Sequence, residues 1–398
     1  MVEPKDSSRC TLIVIDSFGI GSMPDAAAYG DEGADTALHI CQAVSGSKWP
    51  TLQALGLGNC AQLLGKTLPG CEPSQAPLAS FGVLAEKSPG KDTTTGHWEL
   101  AGIVLQRPFF TFPPAYPSFP SDLVQAFERE TGRRILGNKA AAGTEIIQEL
   151  GEVHIRTGDP ICYTSADSVF QIAAHEEVIP LEELYRICVI ARRLCDPLNV
   201  ARVIARPFVG KPGSFVRTKN RKDFSLPPPA PSLLNVLQSS GIRTIGVGKI
   251  GNIFNDSGLD ENYPDKGNPV CLDRTQSLLQ RKRSKKEFVF VNLVDTDMVY
   301  GHRRDVLGYF QAVSEIDRAL SQILTHLKLG DVLIITADHG CDPAFKGTDH
   351  TREYVPLLVY QIGRKGISLG IRKSFADVAS FVCQYFNVPN SFPGKSWG

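Results

Sequence analysis

Three short runs of apolar, mostly β-branched residues, each ending in an acidic residue, constrain the fold more than any other feature of the sequence. They lie at residues 11–16, 288–295 and 331–338. Each run is continuously apolar rather than alternating, which is typical of strands covered on both faces, as in a parallel sheet. Residues 242–247 have a similar composition and are predicted to form a fourth strand. The pattern therefore predicts an α/β fold.

A long amphipathic segment separates the second and third runs. Between residues 307 and 327, apolar residues recur at spacings of three and four, and Gly330 follows as a stop signal. Strand, helix and strand in this order form a βαβ unit. Because open α/β sheets bind ligands at the carboxyl ends of their strands, we expect the acidic residues at those ends to meet at one site.

Proline-rich segments interrupt this pattern twice. Residues 108–120 combine prolines with aromatic residues, and residues 210–213 and 227–231 form a second break. The region between the breaks is predicted to be a smaller inserted α+β domain. The predicted domains are residues 1–108 (core, first part), 109–225 (inserted domain) and 226–398 (core, second part). One core sheet results only if the chain returns to it after the insertion.

The composition narrows the classes of partner and compartment. Lys plus Arg and Asp plus Glu both number 42, so the net charge is zero, which argues against a nucleic-acid or anionic-membrane partner. The ten cysteines are scattered singly without a CxxC pair, and no apolar stretch is long enough for a signal peptide or a membrane span. We therefore expect unpaired thiols in a reducing compartment and a cytoplasmic protein.

A set of aspartates and histidines lies at or just after the predicted strand ends. The candidate metal ligands are Asp16, Asp297, His302, Asp338, His339 and His350. Mixed carboxylate and imidazole ligands without cysteine suit Mn²⁺, Zn²⁺ or Fe, and this many ligands suit two ions that clamp a transferred phosphoryl group. Taken singly, an aspartate at a strand end is more often a helix cap or a turn residue than a ligand, and a lone histidine is more often an ordinary surface or core residue.

The segment at residues 90–99 contains three consecutive threonines before a glycine. A threonine hydroxyl is a weak nucleophile unless a metal ion or a base activates it, so one of these threonines, bound to one ion of a pair, could carry a phosphoryl group. The alternative is an ordered loop without a chemical role. The sequence pattern alone leaves both interpretations open.

Five motifs together resemble those of a known enzyme family. They are DSFGIG from Asp16, KDTTTGHWE from Lys91, DMVYGHRR from Asp297, ADHG from Ala337 and GTDHTRE from Gly347. They resemble the metal-dependent phosphopentomutases of the alkaline phosphatase superfamily, and the resemblance runs along nearly the whole chain. ADHG is shared across the superfamily, whereas KDTxTGHWE and GTDHTRE are specific to the mutases.

The resemblance implies a doubly wound, alkaline-phosphatase-like core sheet with an inserted α+β cap domain, and two Mn²⁺ ions per chain. By motif, the ligands of one ion would be Asp16, Thr93, Asp338 and His339, and those of the other would be Asp297, His302 and His350. Thr93 would be the phosphorylated nucleophile. The implied substrate contacts are Asp167, Arg202 and Arg217 in the cap, with Lys249 from the core.

The implied reaction interconverts (deoxy)ribose 1-phosphate and (deoxy)ribose 5-phosphate through a 1,5-bisphosphate, with a sugar bisphosphate as activator. Without the resemblance, Arg202 and Arg217 could equally be solvated surface charges. Two other functions stay open: a phosphatase or phosphoglycerate mutase built on the same core, and a binding protein that keeps the fold without catalysis. The sequence does not indicate an oligomeric state.

Overall fold

The structure is a computed structural model, and it describes residues 7–165 and 168–397. These residues form two compact units. The flanking unit comprises the described residues up to Arg107 and those from Pro228 onward, and the inserted unit comprises Pro108–Pro227.

The flanking unit contains one eight-stranded sheet. Its strands are β1 (Arg9–Ile15), β2 (Ser80–Leu84), β9 (Arg243–Val247), β10 (Glu261–Tyr263), β11 (Glu287–Leu293), β12 (Val332–Thr336), β13 (Val355–Gln361) and β14 (Ser368–Arg372). Its α-helices are α1 (Thr36–Ala43), α2 (Pro50–Leu55), α3 (Leu57–Leu63), α4 (Thr93–Leu100), α8 (Leu233–Ser239), α9 (Ile250–Phe254), α10 (Asn268–Gln280), α11 (Val306–His326) and α12 (Asp377–Phe386). The strand order is β10-β9-β11-β1-β12-β13-β2-β14, so the chain does return to one sheet.

The predicted strands and the helix between two of them are confirmed. Strands β1, β11 and β12 are buried along their whole length, and β1 lies between the other two and parallel to both. Helix α11 connects β11 to β12, and the turn after it contains Gly330 at a φ of 98°. Because all three strands run in the same direction, their carboxyl ends share one edge of the sheet.

The inserted unit has its own six-stranded sheet of order β3-β4-β5-β6-β7, in which β8 also pairs with β6. Its strands are β3 (Leu136–Ala140), β4 (Ile161–Thr164), β5 (Val169–His175), β6 (Arg202–Val209), β7 (Val216–Arg217) and β8 (Lys222–Ser225). Its α-helices are α5 (Ser121–Thr131), α6 (Gly143–Thr157) and α7 (Leu181–Cys195). Residues 210–213 form the turn between β6 and β7.

The segment rich in proline and aromatic residues contributes to the core of the inserted unit. Phe112 and Phe119 are buried, and their ring centroids lie 4.8 Å apart. The ring of Phe119 also lies 4.4 Å from that of Phe170 on β5. The sequence predicts a crossing linker or boundary loop here, whereas the aromatic side chains pack beneath the sheet because burying such rings is strongly favourable.

Two further expectations concern thiols and membrane spans. All ten cysteines lie in the described part of the chain, where they are buried and unpaired. Among the helices of residues 7–165 and 168–397, none is long and apolar enough to cross a membrane.

Candidate metal centre

The parallel strands deliver the predicted ligands to one edge of the flanking sheet. Asp16 directly follows β1, and Asp338 and His339 follow β12. After β11 the chain forms a π-helical turn, Thr296–Tyr300, which contains Asp297. The remaining two ligands come from a 3₁₀ turn and from the loop before β13, as His302 and His350.

The structure brings all six of these side chains together. Ligand atoms of Asp16, Asp338 and His339 lie within 4.8 Å of one another, and so do those of Asp297, His339 and His350. His339 is common to both groups, so the two groups adjoin. His302 contacts Asp297 in the second group, where its Nε2 lies 3.4 Å from Oδ2.

Three separations within these groups are those of ligands around an ion rather than those of tight ion pairs. His339 Nε2 lies 3.4 Å from Asp16 Oδ1 and 3.4 Å from Asp338 Oδ2, and His350 Nε2 lies 3.4 Å from Asp297 Oδ1. Charge-assisted hydrogen bonds between such groups are about 2.7–2.9 Å long. Ligands on bonds of about 2.1 Å to a common metal ion are about 3.0–3.4 Å apart.

Each of the three carboxylates has one buried oxygen without a hydrogen-bond partner. These atoms are Asp16 Oδ1, Asp297 Oδ1 and Asp338 Oδ2. A buried, unpaired carboxylate oxygen is costly unless a cation or a donor satisfies it. The donor set is therefore consistent with bound metal ions.

Hydrogen bonds at the other ligand atoms leave these oxygens and the Nε2 atoms of His302 and His339 facing one another within the cluster. Asn292 Nδ2 donates to Asp16 Oδ2 at 2.9 Å, and the backbone N–H of Ser17 donates to Asp338 Oδ1 at 3.0 Å. His302 Nδ1 donates to the carbonyl of Thr348 at 2.6 Å, and His339 Nδ1 donates to its neighbour's carbonyl at 2.9 Å. Such bonds fix the ring tautomer, as in known metal sites.

The electrostatics of the cluster favour positive charge. Burial raises the pKa of Asp16, and repulsion from Asp338 and Asp297 raises it further. Burial opposes a charged His339, yet attraction by Asp338 and Asp16 raises its pKa well above its usual value. Burial would also raise the pKa of Asp297, but His350 and His302 lower it well below its usual range. The buried carboxylates therefore favour positive charge at this site, which a metal ion would supply.

Thr93 is the first residue of helix α4, so the ordered-loop interpretation of this segment is wrong. The helix is capped by Asp92, whose Oδ1 accepts hydrogen bonds from the backbone N–H groups of Thr94 and Thr95 at 3.0 and 3.2 Å. The hydroxyl of Thr93 lies 3.2 Å from His339 Nε2. The Thr95 hydroxyl instead donates to Asp92 at 2.6 Å, so the three threonines are not equivalent.

The glycine after the threonines allows this approach. A Cβ atom on Gly96 would lie 2.1 Å from the carbonyl oxygen of Asp338, closer than any real contact. Only glycine therefore lets α4 pack directly against the chain that carries Asp338 and His339. This packing places the start of the helix beside the candidate ligands.

Two residues at the centre were not singled out from the sequence. His97 Nδ1 donates to the carbonyl oxygen of Thr93 at 2.9 Å, and the same nitrogen lies 3.0 Å from Asp338 Oδ2 without a hydrogen bond to it. His97 therefore contacts two of the predicted residues. Cys341 Sγ forms a third ligand group with Asp297 and His302. The sequence predicts only unpaired thiols, although the position of Cys341 directly after the ADHG motif is a signal for a role at the centre.

The predicted substrate-binding residues are distributed over both units. Lys249 precedes helix α9 in the flanking unit, two residues after the carboxyl end of β9. Arg202 is the first residue of β6, and Arg217 lies in β7, where its Nη2 donates to the hydroxyl of Tyr163 at 3.3 Å. Asp167 lies outside the described residues.

Comparison with known proteins agrees with this geometry. Residues 8–390 match the Metalloenzyme superfamily. The chain is 52% identical over 391 residues to the phosphopentomutase of Caldanaerobacter subterraneus subsp. tengcongensis, covering 98% of this chain and 97% of that protein. It is 54% identical to the phosphopentomutase of Anaeromyxobacter sp. (strain K), covering 96% of each chain. The chain belongs to the phosphopentomutase family.

Membership of the phosphopentomutase family makes this chain an enzyme of the mutase class. The fold is shared more widely, since PH0037 from Pyrococcus horikoshii matches with a TM-score of 0.50 at 15% identity, covering 99% of this chain and 100% of that protein. The family match confirms the predicted alkaline-phosphatase-like α/β core, and the superfamily match indicates that phosphopentomutases of this kind bind metal.

Removing metal is expected to destabilise the wild-type protein. Stripping with a chelator should lower the melting temperature by several degrees, because an ion present at about 100 times its dissociation constant stabilises the folded state by about 2.7 kcal/mol. The double variant Asp16→Asn/Asp338→Asn, which removes two ligands of one ion, should respond to the chelator less than the wild type does, because Asp297, His302 and His350 can still hold the second ion. Asp273→Asn, which alters an exposed carboxylate on α10, should behave like the wild type. Calorimetry that shows no effect of the chelator on the wild type would contradict a metal centre.

Proposed function

We propose that this enzyme interconverts (deoxy)ribose 1-phosphate and (deoxy)ribose 5-phosphate through a phosphorylated Thr93. One observation carries the proposal: the Thr93 hydroxyl lies at the start of α4, 3.2 Å from His339 Nε2, within a cluster of buried aspartates and histidines. The names of the family members supply the substrate class, because they are phosphopentomutases.

The proposed cofactors are two Mn²⁺ ions. Asp16, Thr93, Asp338 and His339 would hold one ion, and Asp297, His302 and His350 would hold the other. When bound, the two ions would supply positive charge that offsets the charge on the phosphoryl oxygens and lowers the pKa of the Thr93 hydroxyl. The oxygens of Asp16, Asp297 and Asp338 that lack hydrogen bonds support this assignment.

The position of Thr93 suits a group that alternates between a free hydroxyl and a phosphoester. The first backbone N–H groups of a helix point outward, and the helix dipole favours negative charge at that end. A phosphoryl group on Thr93 Oγ1 would therefore lie at the positive end of α4. Asp92 fixes the backbone of this end by accepting from the N–H groups of Thr94 and Thr95, so the phosphoryl group would gain from the helix dipole rather than from these two donors.

The proposed reaction transfers one phosphoryl group in each direction. The phosphoryl group leaves Thr93 Oγ1 and bonds to O5 of ribose 1-phosphate, whose hydroxyl proton is released, and a 1,5-bisphosphate forms. The Thr93 oxygen then accepts the phosphoryl group from C1, whose oxygen recovers a proton, and ribose 5-phosphate is released. The enzyme ends as it began, phosphorylated, and a sugar bisphosphate primes any unphosphorylated chain.

The proposed substrate contacts have chemistry that fits a sugar phosphate. Guanidinium forks of Arg202 and Arg217 can bind phosphate oxygens in a bidentate manner, and the Lys249 ammonium group can add a point charge. A carboxylate at Asp167 can accept hydrogen bonds from sugar hydroxyls. The proposed partners are therefore small pentose phosphates and not nucleic acid or membrane.

A substrate comparison tests this function against its alternatives. The Mn²⁺-loaded enzyme, primed with a sugar bisphosphate, is expected to convert ribose 1-phosphate to ribose 5-phosphate and to leave 3-phosphoglycerate unchanged. Faster isomerisation of phosphoglycerate would favour a phosphoglycerate mutase, and release of free phosphate as the main product would favour a phosphatase. A protein that binds manganese but turns over none of these substrates would be the non-catalytic binding protein.

A further inference from the structure

One face of the sheet in the inserted unit carries polar side chains in a row across its strands. Tyr163 on β4, Gln171 on β5 and Arg206 on β6 share this face, because neighbouring residues such as Cys162, Phe170 and Ala205 point into the apolar cluster on the opposite face. The row continues to Arg217 on β7, whose Nη2 donates to the Tyr163 hydroxyl. None of these side chains takes part in the metal centre.

Arg206 is partly buried on this face without a carboxylate partner among the described residues. Its Nε donates to the amide oxygen of Gln171 at 3.0 Å, which is a neutral acceptor. The nearby carboxylate of Asp223 instead accepts hydrogen bonds from Nε and Nη2 of Arg221, at 2.7 Å each. Burial and the charges of Arg221 and Arg217 together lower the pKa of Arg206 to about 10, although Tyr163 and Asp223 oppose the change. A partly buried guanidinium without an ion pair disfavours the folded state unless an anion binds.

Arg217 is held beside further positive charge. A Cβ atom on Gly143, the first residue of α6, would lie 1.6 Å from Arg217 Nη2 and 2.3 Å from the Tyr163 hydroxyl. Glycine thus allows the guanidinium to lie against the positive end of a 15-residue helix. Arg217 Nε is buried and has no hydrogen-bond partner. Like Arg206, Arg217 has no ion pair with a carboxylate in the described part of the inserted unit.

We propose that Arg206 is a further substrate-binding residue. It would add a second guanidinium beside Arg217, the phosphate contact that the family resemblance already implies, and the two would form an anion subsite that holds a phosphate group of the sugar phosphate. Gln171 and Tyr163 orient the two guanidiniums, since each accepts a hydrogen bond from one of them. The identity of the anion as a sugar phosphate rests on the proposed function. The binding of an anion rests only on the geometry of this unit.

The anion subsite predicts an effect of phosphate on the melting temperature that an arginine with only a structural role would not produce. Arg206→Gln removes a repelling charge, so in chloride buffer the full-length, Mn²⁺-loaded variant should melt no lower than the wild type. Inorganic phosphate at constant ionic strength should raise the melting temperature of the wild type more than that of the variant. Phosphate bound at the metal centre contributes equally to both proteins and cancels in this comparison.

Kinetics give a second readout. Loss of a charge-assisted hydrogen bond should raise the KM for ribose 5-phosphate about 10- to 100-fold and change kcat less. Arg206→Lys should fall between wild type and Arg206→Gln, because it retains the charge but not the fork. Arg193→Gln on α7 is the matched control, since the Arg193 side chain is 69% exposed, and it should leave both readouts unchanged.

Two results would overturn the subsite. One is a lower melting temperature of Arg206→Gln in chloride with an undiminished response to phosphate, which would make Arg206 a packing residue. The other is an unchanged KM with an unchanged response to phosphate. If the wild type had no mutase activity, the proposed function would fail, yet the response to phosphate would still decide whether the subsite exists.

Discussion

Replacing Thr93 with alanine is expected to lower the rate of pentose phosphate interconversion by a factor on the order of 10⁴ to 10⁶, as removal of a nucleophile does in other enzymes. The hydroxyl is the atom that carries the phosphoryl group in the proposed reaction, and the described residues place no other hydroxyl within hydrogen-bond distance of His339 Nε2. The measurement is the initial rate of ribose 5-phosphate formation with Mn²⁺ and a priming bisphosphate.

The neighbouring threonine provides the matched control for this experiment. Thr94 lies in the same helical turn, and its contact with the Asp92 cap is made by its backbone N–H, which Thr94→Ala retains. This variant should therefore keep most of the activity. After incubation with bisphosphate, intact-protein mass spectrometry should find one added phosphoryl group on the wild type and on Thr94→Ala, but none on Thr93→Ala.

The metal content of the two variants separates the roles of Thr93. A Thr93→Ala protein that keeps its manganese and loses activity has lost its nucleophile. If it loses manganese as well, ligation and nucleophilic attack are measured together, and Thr93→Ser then distinguishes them by restoring both. Interconversion by Thr93→Ala within tenfold of the wild type would eliminate Thr93 as the carrier of the phosphoryl group.

Asp16, Asp338 and His339 were predictable because each lies within three residues of the end of a strongly patterned strand, whereas His302 and His350 lie in a turn and a loop farther along the chain. The apolar runs before Asp16 and Asp338 identify buried parallel strands, and parallel strands must align their carboxyl ends. The helical start at Thr93 was also encoded locally, since Asp92 is a favourable N-cap residue, although the three threonines suggested a loop. The local sequence pattern was therefore sufficient to predict the strand ends. It also contained a signal for the start of α4, in the N-cap residue Asp92.

The sequence could not predict contacts that join distant segments. Gln171 and Arg206 both lie in segments that match the family, but they are 35 residues apart, and their hydrogen bond depends on the register of β5 against β6. Likewise, the requirement for glycine at position 96 becomes clear only from the structure, in which α4 packs directly against the backbone of Asp338. Such contacts are decided by tertiary packing, which one-dimensional periodicity does not contain.

Arg352 is the clearest example of such a contact, and its replacement is expected to have the largest effect on stability. Its Nη1 donates to Glu86 Oε2 at 2.5 Å and to the carbonyls of Ser88 and Gly90 at 2.9 and 2.6 Å. Its Nη2 donates to Asp25 Oδ2 at 3.0 Å. The side chains of Arg352 and Glu86 are 3% and 2% exposed, so both charges are desolvated.

Arg352→Met should lower the free energy of unfolding by about 3–5 kcal/mol, because it leaves the Glu86 carboxylate buried without its partner. Burial raises the pKa of Glu86 well above its usual value, and the charge of Arg352 counteracts that rise. Without the arginine the folded protein binds the Glu86 proton still more tightly than the unfolded chain does. The loss of stability relative to the wild type should therefore be small at acidic pH, where the Glu86 carboxyl group is protonated in both folded proteins. It should grow as the pH rises through the pKa that Glu86 has in the folded wild type.

A double-mutant cycle isolates this pair. Arg352→Met/Glu86→Gln should recover part of the lost stability and most of the pH dependence, because the unpaired buried charge is gone. Arg186→Met, which removes an exposed arginine paired with Glu183 on the same helix, should cause little change. Chemical denaturation in which Arg352→Met and Arg186→Met lose equal, small amounts of stability would contradict the argument.

The same substitution should also affect catalysis more than its effect on stability explains. Arg352 lies two residues after His350 and binds the carbonyl of Gly90, three residues before Thr93, so it joins the ligand loop to the nucleophile segment. In Arg352→Met, still folded at low temperature, kcat should fall while the KM for ribose 5-phosphate changes little. Arg352→Met/Glu86→Gln should not recover kcat. Removing the Glu86 charge relieves the cost of the buried carboxylate, but the Gly90 carbonyl still lacks the hydrogen bond from Arg352 that anchors the segment before α4.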